Sequence, residues 1–297
     1  VMRAPTAEFG ARAIAGTINI VLRQAPPKRV NELRLGVATE NGNVRPSFNW
    51  SRNDKLDDKG VTTYNITVNA QQSDFSNEGR GRSEIHDLRN GQDSLIESRN
   101  GNENSNRSLN LNGRLQWKPS NRELLAVTPF MSAGDGEGQG SFERTQTPAP
   151  LPGDPLARFD RSSNRSKNRY GGGGLNGQWN TGIGKEGKLE SSAMVGRFTS
   201  NFSTETREFK DGQQVRLRQD GGDTRNGNWS LRSKFSQPLM DEHSFVAGVE
   251  TEGRRMRQQR SCMEDGQSCD YLLDFGDQLD AGRRRNAIYA QDHWSAG

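Results

Sequence analysis

The chain has 297 residues, of which 30% are hydrophobic and 26% charged, and glycine occurs 34 times. This composition is poor material for a soluble core of that size, and a formal net charge of +4 does not call for nucleic acid. No run of about 18 apolar residues occurs, which excludes a transmembrane helix but not a membrane barrel built from alternating strands of about ten residues.

The first 23 residues are a glycine-punctuated turn region that leads into a short apolar strand, Thr17–Leu22. The strand is continuously apolar, so we expect both of its sides to be buried. Two prolines follow at positions 26 and 27 and indicate a linker.

Beyond the linker, apolar and polar residues alternate with a period of two, which indicates strands with one apolar and one polar face. The clearest run places Leu109, Leu111, Leu115 and Trp117 on one face. Pro46 and Pro129 cannot donate to a strand ladder, so we expect bulges or strand ends there. The pattern predicts ten strands, at 30–40, 44–53, 61–75, 106–118, 122–134, 168–180, 188–202, 226–237, 243–257 and 284–296.

The connections between these strands alternate between two lengths. Short polar turns are predicted near 55–60, 119–121, 183–187 and 238–242. Long polar loops are predicted near 76–105, 135–166, 203–225 and 258–282. An antiparallel meander with short turns at one end and long loops at the other is typical of outer-membrane β-barrels.

Aromatic residues recur shortly before the short turns and keep the parity of the apolar face of their strands. These residues are Trp50, Trp117, Trp179, Phe235 and Trp294. Aromatic rings favour the boundary between membrane and water, so this recurrence predicts a membrane girdle. The alternative is that they are ordinary edge aromatics of a soluble β protein.

The two cysteines, Cys262 and Cys269, lie in a polar and acidic stretch. In an exported protein this spacing favours a local disulfide, with free thiols or a metal pair as the alternatives. The three histidines are too few and too scattered to supply a metal site.

Two other polar features do not indicate catalysis. The run Gly171–Gly174 is not a phosphate loop, since no Lys-Ser/Thr follows it, and it predicts a close approach of backbone or a strand bend. A group of carboxylates has no nucleophile or base beside it, so a solvated loop is favoured over Ca²⁺ binding or an enzyme site. These carboxylates are Glu264, Asp265, Asp270, Asp274 and Asp277.

Arginines crowd two neighbouring predicted strands. Strand parity predicts that Arg255, Arg257 and Arg284 face outward, towards the phosphates of the outer leaflet. It predicts that Arg254, Arg260, Arg283 and Arg285 face the vestibule, where guanidinium groups suit an anionic ligand. The alternative is that all seven only solvate the barrel rim or bind lipopolysaccharide.

The N-terminal segment resembles the end of the plug domain in TonB-dependent outer-membrane receptors. The matching positions are Arg3, Pro5, Phe9, Gly10, Ala13, Gly16, Ile18, Asn19 and Ile20. Ala4 and Ala15 stand where glycine is usual, and Phe9 replaces tyrosine. The C-terminal run from Tyr289 to Trp294 is also similar to a strand common in these barrels.

The resemblance implies a 22-stranded transmembrane barrel closed by a plug, of which this chain would carry residues 1–24 of the plug, a linker at 25–29 and a partial barrel at 30–297. It implies no catalysis, no cofactor and no resident metal. It implies a scarce ligand, most often a ferric siderophore, and the partner TonB. TonB would act through a preceding segment that, like the signal peptide, we expect to have been lost by truncation. The alternative is a passive or structural outer-membrane barrel.

Overall fold

A computed structural model of the chain describes residues 29–40, 42–87, 91–150, 158–240, 243–269 and 276–294. The plug-like segment at 1–24 and the linker up to residue 28 lie outside the described residues, so the motif from Arg3 to Ile20 and the domain boundary there stay predictions. None of the described residues belongs to a helix able to cross a membrane.

The described residues form an all-β structure of eleven strands. The strands are β1 (Val30–Glu40), β2 (Asn43–Lys55), β3 (Thr62–Asp87), β4 (Gln92–Ser120), β5 (Glu123–Thr147), β6 (Arg161–Ile183), β7 (Gly187–Lys210), β8 (Gln213–Met240), β9 (His243–Glu264), β10 (Gln267–Ser268) and β11 (Gln278–Trp294).

The strands form a single antiparallel sheet in which each strand pairs with its neighbour in sequence from β1 to β9. The two-residue strand β10 and the long strand β11 both pair with β9. The all-β class and the antiparallel meander are therefore confirmed. The sheet is open, with β1 at one edge and β11 at the other.

The strand boundaries follow the predictions at one end of the sheet and depart from them at the other. The four short turns lie where they were predicted, between β2 and β3, β4 and β5, β6 and β7, and β8 and β9. The predicted loops near 76–105 and 203–225 are wrong, because β3 and β4 stay paired as far as Asp87 and Gln92, and β7 and β8 as far as Lys210 and Gln213. The other two are shorter than predicted, because β5 continues to Thr147 and β9 to Glu264. These extensions are mostly polar, and their few apolar residues, such as Ile85, Leu95 and Ile96, do not alternate as in a half-buried strand.

The two prolines affect the sheet in different ways. Pro129 lies inside β5, opposite Leu175 in an unbroken pairing with β6. The pairing with β4 skips Thr128 and Pro129 and resumes in the same register, so Pro129 interrupts one ladder without forming a bulge. Pro46 pairs with Val37 of β1, while the pairing of β2 with β3 begins at Ser47, so its missing N–H costs no bond to β3.

The sheet has almost no core of its own. Among the described residues, the buried hydrophobic side chains are Ile96, Ala126, Cys262 and Cys269. Large aliphatic side chains are instead exposed, including Leu35 at 73% and Ile288 at 88%. A contiguous apolar surface of this kind requires an apolar partner or environment.

Glycines opposite aromatic residues recur from β5 to β11. In each pair the ring of one strand covers the glycine directly opposite on the next, so a side chain on the glycine would collide with the ring. The pairs are Gly134 with Tyr170, Gly174 with Phe130, Gly172 with Phe198, Gly222 with Phe202, Gly253 with Trp229, and Gly248 with Tyr289. The run Gly171–Gly174 thus does accept a close approach, by aromatic side chains from both neighbouring strands.

Candidate membrane-facing and ligand-facing surfaces

The pairing registers place the five recurring aromatic residues on one face of the sheet. Residues directly opposite in an antiparallel pair share a face, and Trp117 pairs with Leu125, which pairs with Trp179. The same step-by-step pairing carries this face from Trp50 through Phe235 to Trp294. We call it the aromatic face and the opposite one the polar face.

The aromatic positions shift in one direction along the sheet. The row of paired residues that starts at Trp50 reaches Gly282 on β11 after eight strand steps, twelve residues before Trp294. With about 3.4 Å per residue and about 4.8 Å between strands, this drift corresponds to a strand tilt of about 45°. Strands of closed barrels have a tilt of this size, and strands tilted in this way would bring Trp50, Trp179 and Trp294 to one level, with Phe235 and Trp117 close to it.

A band free of charge begins at this level on the aromatic face. From β4 to β9 the next charged side chain on the face lies eight or ten residues from the aromatic level. The steps run from Trp117 to Arg107, Leu125 to Asp135, Trp179 to Arg169, Leu189 to Arg197, Phe235 to Arg225 and Phe245 to Arg255. Ten residues on strands tilted by 45° span about 24 Å, which matches the apolar band of outer-membrane barrels.

On β11 the band is less regular. Arg284 again lies ten residues from Trp294, but Asp292 stands between them on the same face. Asp292 accepts a contact of 2.8 Å from the His243 ring, which itself stacks on Trp294. The charge therefore lies at the aromatic level and is paired there.

The predicted division of the arginines between two faces agrees with the registers. Arg255, Arg257 and Arg284 lie on the aromatic face, because they share rows with Gly227, Arg225 and Trp229 respectively. The four vestibule candidates, Arg254, Arg260, Arg283 and Arg285, lie on the polar face. Their binding of a ligand stays a prediction.

The polar-face arginines do not form one group of four. Arg254 and Arg283 lie directly opposite each other on β9 and β11, while Arg285 lies opposite Glu252, which offers a counter-charge. Arg260 lies six residues from Arg254 along β9, about 20 Å away. Directly opposed like charges destabilise a sheet, and within the described residues neither Arg254 nor Arg283 makes a side-chain hydrogen bond or ion pair.

The aromatic-face arginines have one carboxylate among them that does form ion pairs. Asp280 accepts hydrogen bonds from Arg255 at 2.7 and 2.9 Å and from Arg257 at 3.1 Å. The hydrogen bonds from Arg255, supported by its charge and by Arg257, lower the pKa of Asp280 to about 2. Asp280 therefore stays ionised in any neutral medium.

A polar cluster that sequence inspection missed lies at the far end of β7, β8 and β9. Arg216 contacts Glu208 at 3.1 Å and Glu264 at 2.6 Å, so one guanidinium joins three strands. Hydrogen bonding from Arg216 lowers the pKa of Glu264. Glu208 is buried, with 8% of its surface exposed. Only pairing registers bring these residues together, since they are separated by up to 56 positions.

The cysteines lie beside this cluster. Cys262 and Cys269 are joined in a disulfide, with their Cα atoms 5.4 Å apart, and the Cys269 N–H donates to the Cys262 carbonyl. The bond thus closes the β9–β10 hairpin and does not cross-link distant strands. Its position outside the cell stays a prediction.

We expect replacement of both cysteines by serine to have a local effect. Closing so short a ring stabilises by at most about 2–3 kcal/mol on the loop-closure estimate, and Arg216 still holds β9 to β8 and β7. The thermal unfolding of the purified protein should therefore shift only slightly. Loss of the folded state in the double variant would contradict this.

Within the described ranges, no group of three or more His, Cys, Asp or Glu side chains is arranged to hold a metal ion. No family model and no curated protein matches the chain.

Proposed function

We propose that this chain is part of an outer-membrane β-barrel that takes up a scarce ligand with energy supplied through TonB. The observation that carries the membrane part is the uncharged band on the aromatic face, eight to ten residues deep from β4 to β9. A soluble sheet with so small a core would leave this surface in water.

The opposite face supports a wet interior. Asparagines, serines and threonines dominate it, for example Asn110 and Asn112 of β4, and Ser132 of β5 donates a hydrogen bond of 2.8 Å to Asn110. In a barrel these residues line a lumen that holds water or a plug. The uptake part of the proposal rests further on the plug-like segment from Arg3 to Ile20.

The opposed pair Arg254 and Arg283 supports an anionic ligand. Two like charges held face to face without a partner among the described residues raise the local positive potential, and an anion that binds between them relieves the repulsion. A ferric complex with catecholate or carboxylate groups has the required charge. Arg285 contributes less, because Glu252 lies opposite it.

The experiment is uptake of radioactive iron, supplied as a ferric catecholate complex, by iron-starved cells that express the full-length protein. We expect Arg254→Glu with Arg283→Glu to reduce uptake at least about tenfold at low salt and less at high salt, because exposed charges are screened. The matched control is Arg165→Glu with Lys167→Glu, an equal charge change on the aromatic face.

The same assay separates active from passive uptake. Transport that stops when TonB or the proton gradient is removed supports the proposal. Uptake that continues unchanged would favour the passive barrel instead. Equal loss of uptake in the Arg254/Arg283 variant and the control would remove these two arginines from ligand capture.

A further inference from the structure

A second arginine group lies on the aromatic face at the end of the uncharged band. It comprises Arg197, Arg225, Arg255, Arg257 and Arg284, which we call the band-edge cluster. Arg225 lies directly opposite Arg257, and Arg197 and Arg255 both lie opposite Gly227. All five side chains are exposed, so the cluster is one continuous basic surface across β7, β8, β9 and β11.

The cluster is only partly neutralised. Asp280 pairs with Arg255 and Arg257. Among the described residues no ion pair is made by Arg197, Arg225 or Arg284, although the Arg284 guanidinium lies 5.9 Å from the Trp229 ring centre. The repulsion between these closely spaced cations is therefore left for a bound anion to offset.

The charged residues at the same height on the other half of the sheet, β4 to β6, are arranged differently. There Arg107 pairs with Asp135 at 2.8 Å, and Lys167 pairs with Glu137 at 3.1 Å. Arg169 lies directly opposite Asp135. The three cations and two carboxylates named at the band edge of β4 to β6 thus leave an excess of one positive charge, which is smaller than the excess on β7 through β11.

We propose that the band-edge cluster binds the phosphate groups of lipopolysaccharide in the outer leaflet. This rests on the proposed membrane placement and adds a specific lipid site to it. Guanidinium groups form paired hydrogen bonds with phosphate oxygens. The cluster stands about 24 Å from the aromatic level, at the height where an apolar band of that depth ends and phosphates begin.

A shallow depression supports a defined site within the cluster. It measures about 300 Å³ and is bordered by Asp223, Arg225, Arg257 and Asp280. Arg225 and Arg257 offer donors on opposite sides of it, while Arg284, held by the Trp229 ring, offers a third beyond Gly253. The acyl chains of the same lipid would then lie along Trp229, Leu231 and Val249 below.

The test compares lipopolysaccharide that co-purifies with the full-length protein from outer membranes. We expect Arg225→Gln, Arg257→Gln and Arg284→Gln together to lower bound lipopolysaccharide at least about tenfold, because three charge-assisted contacts are lost. The matched control is Arg254→Gln, Arg283→Gln and Arg285→Gln, at the same height on the polar face, which should keep its lipid. The corresponding lysine triple on the aromatic face should retain most of it.

A second arm fixes the source of the phosphate. Lipopolysaccharide that lacks its lipid A phosphates should bind wild type and the glutamine triple equally weakly. Inorganic phosphate alone should not take the place of the bound lipid. Equal lipid loss from both arginine sets, or full retention by the aromatic-face set, would overturn the inference while leaving membrane insertion intact. Wild-type protein that never reaches the outer membrane would overturn the proposed function and this inference together.

Discussion

Replacement of Leu111 by arginine should prevent stable insertion of the barrel, whereas replacement of its neighbour Asn112 by arginine should not. Leu111 lies on the aromatic face midway between Trp117 and Arg107, at the centre of the uncharged band. An arginine facing lipid at mid-depth costs about 2–4 kcal/mol. Asn112 lies at the same depth on the polar face, where a charged side chain meets water or other polar groups.

The measurement is urea unfolding of each variant from lipid vesicles, together with the heat-dependent mobility shift of folded barrels in gels. The two variants carry the same new side chain one residue apart, so composition and expression are matched. Equal stability of the two would contradict the assignment of the aromatic face to lipid. Greater loss for Asn112→Arg would reverse the two faces.

Valine at Gly174 should destabilise the sheet by about 3 kcal/mol, as expected for an inserted side chain in a filled site. A β-carbon at Gly174 would lie 2.7 Å from Cζ of Phe130 and also against the Val195 carbonyl oxygen. The Phe130 ring cannot simply move aside, because it stacks with Phe198 at 6.1 Å.

Gly177 provides the control for this prediction. It lies in the same strand, three residues away on the aromatic face, and a β-carbon there would have its nearest neighbour at 3.9 Å. Valine at Gly177 should be neutral or slightly stabilising, since it restricts the unfolded chain and suits a strand. Unfolding in urea checks both variants. If both were equally tolerated, the aromatic pairs would not be tight contacts.

Much of the fold could be predicted from the sequence, because the part of each long strand nearest to the short turns has one apolar and one polar face. The run from Leu109 to Trp117 alternates between apolar and polar residues. It predicted the part of β4 that lies next to the short turn and pairs with β5. Beyond Arg107 the same strand carries polar residues on both faces, such as Asn104 and Glu103. Backbone hydrogen bonds and cross-strand ion pairs such as Arg99 with Glu78 hold that part, and they leave no alternation of hydropathy.

The candidate sites were predicted in part for a related reason. Parity along each strand assigned Arg254 and Arg283 to the polar face. Only the register between β9 and β11 reveals that they lie opposite each other. The distance between Arg260 and Arg254 follows from their spacing along β9 alone. The aromatic–glycine pairs and the Arg216 cluster depend wholly on register, which single-strand patterns do not contain.

The extended hairpins bear on how the protein meets proteases. A protease cleaves a stretch of unpaired, extended chain, and ladder-paired segments must first open locally. Pairing of β3 with β4 continues to Asp87 and Gln92, and pairing of β7 with β8 continues to Lys210 and Gln213. The paired polar regions that extend furthest from the aromatic level are thus expected to be cleaved slowly despite their exposure.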